Sequence, residues 1–411
     1  MIDLRFSDQG KDMQRSVADF YRDRILPRQA EWMRSTARGE RTPAFVDELR
    51  DEARRQGLWN MGIAELPHNA PGTRMSNLDF APIAELAGRL PWASQVFNCH
   101  APDLPNMVMV NALATPDQRR EFLDPLLAGE TTSAFSMTEP AVASSDATNI
   151  ATSIDREGDE YVINGRKWYI TGGAAPDLGF HVVMGVTNPQ AARNAQHSMV
   201  LVPASTPGIS VERELRFLGW NDHAAPIGEI LFENVRVPVT NLLGEEGRGF
   251  AAAQVRLGPA RIHHAMRCIG LGEMLLNLMK QRSLSRRVFG QTLDTYGTIQ
   301  QWIAEARIAI EQNRLFVLRA AALLDQQGFK ASWRDVSMVK VSVPRMLQEI
   351  ADRAIQVFGA AGGSDDHLIH HAFVYARMFR IADGPDEVHL RQIYRSESLA
   401  ETEVNSNARI A

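Results

Sequence analysis

The apolar positions change period twice along the chain. Up to about residue 133 they recur every three or four residues; Phe45, Leu49, Ala53 and Leu58 follow one another at helical spacing. Thr42-Pro43 offers a capping hydroxyl followed by a proline, a helix start, and Thr115-Pro116 repeats the device before Phe122 and Leu126-Leu127. Pro67–Ser76, with two prolines and a glycine, reads as a loop. From Ala134 to Leu242 the pattern becomes short apolar runs between turn residues. Strands are expected at Phe180–Val186, Ser198–Pro203, Ile209–Glu214 and Gly228–Phe232. Within Tyr161–Ile170, Asn164-Gly165 predicts a hairpin, because this pair accepts positive φ at both turn positions. After Pro238 and the glycine-rich 244–249, the stretches Phe250–Arg282, Thr298–Gln327 and Trp333–Phe358 predict long bundle helices, and Gly359–Gly363 a loop. The expected fold class is α+β. A helical N-terminal domain (1–133) precedes a middle β domain, barrel or sandwich (134–242), and a C-terminal four-helix bundle (243–411).

Composition narrows the function classes. A chain of 411 residues exceeds what one core usually serves. Its 44 basic and 49 acidic residues leave a net charge of −5, so neither nucleic acid nor an anionic membrane is an expected partner. An anionic ligand would need a local basic patch. Two cysteines, Cys99 and Cys268, are too few for a disulfide scaffold and point to a reducing compartment. The N-terminus carries no apolar signal core, and the apolar stretch Gly179–Val186 is far shorter than the ~20 residues a membrane span needs. A cytoplasmic, soluble protein without a membrane span is expected. His263-His264 and His367, His370 and His371 lack a familiar ligand spacing, so no metal site is expected. Met107–Val110 and Leu271–Met279 read as core or as the lining of an acyl-chain pocket.

Two segments stand apart from generic core. Phe135-Ser-Met-Thr-Glu-Pro-Ala-Val-Ala-Ser-Ser-Asp146 crowds hydroxyls around a proline, and Asn164-Gly-Arg-Lys-Trp-Tyr-Ile-Thr-Gly172 ends in an aromatic-plus-threonine set. Taken alone, the first is equally a Ser/Thr-rich turn and the second ordinary half-buried strand packing. Together they resemble the flavin-contacting signature of the acyl-CoA dehydrogenase family. Further segments resemble that family in the same order: Phe232-Glu-Asn-Val-Arg-Val-Pro238, Arg286 and Phe289 of its Arg-x-x-Phe-Gly, and Gln356-Val-Phe-Gly-Ala360. The resemblance implies FAD as cofactor. Phe135, Met137, Thr138, Tyr169 and Thr171 would hold the flavin, and Ser145 would lie near pyrophosphate and substrate. Arg286 and Phe289 would reach the FAD of a neighbouring subunit, a guanidinium being suited to pairing with pyrophosphate. Gln356, Gly359 and Ala360 would meet the adenosine side. Ser145 is preferred to Ser144 because this chain has one residue more between Pro140 and Asp146 than the common pattern. Tyr169 is preferred to Trp168 by register, since strand neighbours point to opposite faces. Gly297 stands where the family has a glutamine.

The catalytic base departs from the common pattern. The family's Tyr-Glu-Gly-Thr corresponds here to Ile381-Ala-Asp-Gly-Pro-Asp-Glu-Val388, so Asp383 takes the glutamate's place. Some branches carry the base just before a helical arginine; here that arginine is Arg261 and the position before it is Ala260, which cannot titrate. Read without the resemblance, the Asp383 run is a solvated acidic loop that caps a helix. With it, Asp383 is the base, and Arg261 and Gly384 belong to the substrate site. The reaction expected is α,β-desaturation of an acyl-CoA, with electrons passed to an electron-transferring flavoprotein, in a homodimer or tetramer. The Asp-Gly-Pro form resembles a branch acting on longer, branched or oxygenated acyl chains. Two other readings remain: a flavin-dependent oxidase or monooxygenase on the same fold, and a non-enzymatic acyl-CoA-binding subunit.

Overall fold

The computed structural model describes residues 2–220 and 224–407. The N-terminal region is helical: α1 (Asp8–Phe20), α2 (Gln29–Ala37), α3 (Ala44–Arg55), α4 (Asn77–Gly88), α5 (Ala93–Val96), α6 (Asp103–Leu113), α7 (Pro116–Gln118) and α8 (Asp124–Ala128). The two Thr-Pro starts differ. Thr115 makes a complete capping box: its hydroxyl accepts the Gln118 N–H at 3.3 Å, and the Gln118 side-chain oxygen accepts the Thr115 N–H at 3.0 Å. Thr42 caps nothing. Pro43 itself occupies the cap position of α3, extended at φ −60° and ψ 141°, so the threonine sits one residue too early.

The middle region is one curled mixed sheet of β1 (Thr132–Ser136), β2 (Ser153–Glu157), β3 (Glu160–Ile170), β4 (Leu178–Val186), β5 (His197–Pro203), β6 (Ile209–Leu215) and β7 (Ile227–Pro238). The order is β1-β4-β2-β3-β7-β6, with β5 also on β4; β1 runs parallel to β4, and β7 antiparallel to both β3 and β6. The inward side chains of these strands, among them Ile154, Ile163, Val183, Val200, Ile230 and Phe232, form one buried cluster. Each such side chain contributes at most about 1.5–3 kcal/mol.

Asn164-Gly165 is not a hairpin turn. β3 runs through it, and the chain reverses instead at Gly158-Asp159, where Glu157 pairs with Glu160. The Asn164 Oδ1 accepts the Asn234 N–H at 2.7 Å, and the β3–β7 register slips between Ile163 and Gly165. Glycine is needed because a Cβ at 165 would stand 2.3 Å from the Thr152 Oγ1. The Asn-Gly pair therefore marks a bulge and a close approach.

The C-terminal region holds α9 (Gly249–Ser285), α10 (Gly297–Gln327), α11 (Phe329–Phe358), α12 (Ile369–Phe379) and α13 (Asp386–Asn407). A small hairpin, β8 (Arg287–Val288) with β9 (Gln291–Thr292), follows α9. Contacts group the chain into two units. One comprises Met1–Gln14, Asn77–Pro91 and Arg261–Ala411, the other Arg15–Ser76 and Trp92–Ala260. In the first, α4 lies close on α9: a Cβ at Gly270 would be 2.0 Å from the Glu85 carbonyl oxygen. The contact is sealed by Arg314, which pairs with Glu85 at 2.8 Å and Glu273 at 2.5 Å.

Candidate active site

In the sheet-bearing unit, the ends of β1 and β3 come together. The Thr138 carbonyl accepts the Trp168 N–H at 3.0 Å, which places Phe135, Met137 and Thr138 beside Tyr169 and Thr171. This junction is held by a buried ion pair. Lys167, fully buried, donates to the Glu139 Oε1 at 2.8 Å, the Met184 carbonyl at 2.7 Å and the Met137 carbonyl at 3.0 Å. Burial pushes the Lys167 ammonium down to about 8, with the Glu139 carboxylate pulling it back. Burial pushes Glu139 up, but Lys167 and the Thr152 and Ala151 donors outweigh it and hold the carboxyl below its ordinary value. The Glu of Thr-Glu-Pro is thus a structural hub.

Around that hub the expected contacts are open to a ligand. Thr138 and Ser145 are exposed, whereas the Ser144 hydroxyl is engaged by the Glu139 N–H at 2.9 Å. Tyr169 is 41% exposed and has φ +51°, a left-handed conformation unusual for an aromatic residue. The β3–β7 register slips again between Lys167 and Ile170, so strand alternation does not hold here. The Trp168 and Tyr169 rings meet edge to face at 5.2 Å. The Phe135 ring lies under the Arg256 guanidinium, 4.3 Å from its centre. Buried Arg256 is anchored on the Asn106 Oδ1 at 2.8 Å, and Asn106 donates on to the Ser133 hydroxyl at 2.9 Å.

In the other unit, Asp383 and Gly384 form the turn between α12 and α13, with φ +56° and +99°. A side chain at Gly384 would be strained at φ +99°, and its Cβ would press on the His389 Nε2 at 2.8 Å. Arg261 grips the backbone of this turn: its Nε and Nη2 donate to the Asp383 carbonyl at 3.2 and 3.0 Å. The His389 Nε2 reaches the same oxygen at 3.2 Å. Lys340, buried on α11, donates to the Phe379 carbonyl and to the Gly384 carbonyl at 3.2 Å. Burial pushes Lys340 down to about 8, the Asp383 charge opposing and Arg261 reinforcing it. The Asp383 Oδ2 lies 3.7 Å from the His264 Nε2. Three residues on, Asp386 is fixed by Arg380 at 2.9 Å and Arg345 at 3.0 Å. A solvated acidic loop would show none of this. Ala260 is buried and offers no titrating group.

The remaining expected contacts are surface features of this unit. Arg286 is exposed at the end of α9, and Phe289-Gly290 forms the tip of the β8–β9 hairpin. Phe289 is 99% exposed with φ +47°. Gln356 and Ala360 are exposed, and Gly359 ends α11 with φ +64°. Among the described residues no cluster of metal-ligating side chains occurs, and no helix is long and apolar enough to cross a membrane. His367 packs on Phe358, and burial pushes His371 down to about 3.

Sequence reasoning missed Lys167, Lys340, Arg256 and His264 as parts of these constellations. For Lys340 the available signal was a lone cation inside an apolar run, between Val336, Val339, Val341 and Val343; Lys167, next to Arg166, carried no such signal.

Comparison with known proteins adds the family. The models of the acyl-CoA dehydrogenase N-terminal, middle and C-terminal domains match residues 7–130, 134–235 and 247–397. The chain is similar to the probable acyl-CoA dehydrogenase FadE2 of Mycobacterium tuberculosis, with 45% identity over 401 residues that cover 96% of this chain and 97% of that one. It is 43% identical to acyl-CoA dehydrogenase family member 11 of Gallus gallus over 96% of this chain, but spans only about half, 51%, of that longer relative. A solved putative acyl-CoA dehydrogenase from Mycobacterium abscessus superimposes with a TM-score of 0.93 at 44% identity, covering 97% of this chain and 100% of that one. The chain belongs to the acyl-CoA dehydrogenase family.

Proposed function

We propose that this protein carries out FAD-dependent α,β-desaturation of an acyl-CoA thioester with Asp383 as the base. The observation that carries the reading is the fixed turn at Asp383. Its carbonyl takes two donors from Arg261 and one from His389, so the carboxylate sits on a backbone that cannot drift. Placement matters because errors of about 1 Å cost ~10²-fold in rate. Aspartate is one methylene shorter than glutamate, and the left-handed φ at 383 supports a backbone adapted to that shorter reach.

The residues present fit a flavin. Tyr169 exposes its ring from a strained backbone, a cost that an unliganded surface does not explain. Thr138, Thr171 and Ser145 are neutral hydrogen-bonding groups that cannot compete in redox chemistry. Bound FAD supplies the acceptor for the hydride that leaves Cβ. Asp383 takes the α-proton, a role open to a carboxylate held in place by its backbone. Thr138 and Thr171 orient the ring, Ser145 meets pyrophosphate or substrate, and Gly384 lets the thioester approach the backbone. Arg286 and Phe289 would reach the pyrophosphate of an FAD bound by a neighbouring subunit, and Gln356, Gly359 and Ala360 would meet the adenosine side. Exposed Phe289 supports a homo-oligomer, dimer or tetramer, in which that hairpin is covered. An electron-transferring flavoprotein is the proposed acceptor.

Anaerobic titration of the purified protein with acyl-CoAs of differing length, branching and oxygenation tests this reading. The protein should be yellow and should bleach with at least one thioester. A colourless protein, or a yellow one that no acyl-CoA bleaches, contradicts it. Rapid reoxidation by air would replace the electron-transferring flavoprotein with oxygen as acceptor.

A further inference from the structure

Asp383 has a neighbour that the desaturation scheme does not use. His264 lies one turn along α9 from Arg261, is largely buried, and directs Nε2 at the Asp383 Oδ2, 3.7 Å away. Its other ring nitrogen, Nδ1, lies 3.4 Å from the Tyr375 hydroxyl on α12. Phe379 closes the group, with ring centres 4.3 Å from His264 and 4.6 Å from Tyr375. We propose that His264 is a positioning residue for Asp383, with Tyr375 fixing which ring nitrogen carries the proton. The inference rests on Asp383 being the base.

The chemistry follows from the two ends of the ring. A phenol donates readily to a neutral imidazole nitrogen. With the Tyr375 hydroxyl on Nδ1, the proton resides on Nε2 and faces the carboxylate. At 3.7 Å the N–H is too far for a direct hydrogen bond, but its positive end faces Oδ2 and favours the charged, proton-accepting form of Asp383. Among the described residues, charged and titratable groups near this pair include Arg261 and His263 on α9, Lys340 on α11, His371 on α12 and His389 on α13. Arg261 and His389 are committed to the Asp383 carbonyl, Lys340 to the Phe379 and Gly384 carbonyls, and Asp386 to Arg345 and Arg380. Burial holds His371 and His389 far below neutrality, so neither gains charge near pH 7. His264 directs a ring nitrogen at the carboxylate itself.

The test is the pH profile of flavin bleaching in His264→Leu, His264→Gln and Tyr375→Phe, together with the titration of isotope-labelled histidine rings. Removing a donor that favours the carboxylate raises the pH at which Asp383 loses its proton. The acidic limb of the profile should therefore move to higher pH in His264→Leu, with the rate at neutral pH falling roughly 10-fold to 100-fold. His264→Gln, which can still donate, should retain most of the wild-type limb, and Tyr375→Phe should fall between. An unmoved acidic limb in a folded, yellow His264→Leu protein overturns the proposal. Independently, Asp383→Asn should lower the titration midpoint of the His264 ring, because a neighbouring anion is lost. An unchanged midpoint overturns the pairing. Should Asp383→Asn bleach like the wild type while that midpoint still falls, the pairing stands and the base assignment fails.

Discussion

The two buried lysines, Lys167 on β3 and Lys340 on α11, make the clearest contrast in the molecule. Burial depresses both to about 8. Lys167 has its own carboxylate, Glu139, and the pair closes on itself beneath the expected flavin wall. Among the described residues, the hydrogen bonds of Lys340 go only to main-chain carbonyls of the turn that carries Asp383. One cation is neutralised where it stands and holds two strands together. The other leaves its charge acting on a nearby carboxylate while its protons brace that carboxylate's backbone. Burial of a charge thus serves architecture in one region and braces the backbone of the proposed base in the other.

That contrast can be broken in order of expected effect. Lys167→Met keeps the volume but takes the countercharge from Glu139, leaving it only the Ala151 and Thr152 donors, which costs about 3 kcal/mol. A denaturant midpoint showing a loss under about 1 kcal/mol would mean that Glu139 finds other partners and is no hub. Arg261→Met removes two donors from the Asp383 carbonyl and should lower the bleaching rate ~10²-fold, with the yellow colour retained. An unchanged rate would show that the turn holds without it. The smallest effect is in pH. Both lysines titrate near 8 when folded and at an ordinary 10.5 when unfolded, so between those values the unfolded chain binds more protons. Their contribution to stability therefore rises as pH goes from about 8 to about 10.5. Over that range the wild type should gain stability relative to Lys340→Met, and parallel profiles would refute the burial of a charged lysine.

Local signals were legible in the sequence when one short segment carries all the parts. Thr115-Pro116-Asp-Gln118 holds both halves of its capping box within four residues and forms as expected. The long amphipathic helices and the apolar strand runs likewise needed only periodicity. Thr42 shows the limit: a hydroxyl and a proline in the right order still fail to cap when the proline takes the cap position itself. Asn164-Gly165 shows another, because the same permissive backbone serves a turn or a bulge. Here the choice was made by Thr152 on the neighbouring segment and by Asn234, 70 residues from Asn164 in the chain. The proposed flavin-wall residues could be read as a motif, yet the lysine that secures them could not, since Glu139 and Lys167 are 28 residues apart. The Asp383 turn was harder still. Arg261, 122 residues upstream, holds a carbonyl that no side-chain pattern reports. Spacing names a carboxylate, but the geometry that sets it apart from a solvated loop is made of main-chain atoms.

The central claim is that Asp383 removes the α-proton. It is tested most directly in deuterium oxide with a thioester that binds but cannot be dehydrogenated, by following deuterium entry at the α-carbon in wild type and Asp383→Asn. With Asp383 as the base, the wild type exchanges and the variant does so at least ~10²-fold more slowly, with colour and fold intact. Exchange at the wild-type rate in Asp383→Asn would contradict it.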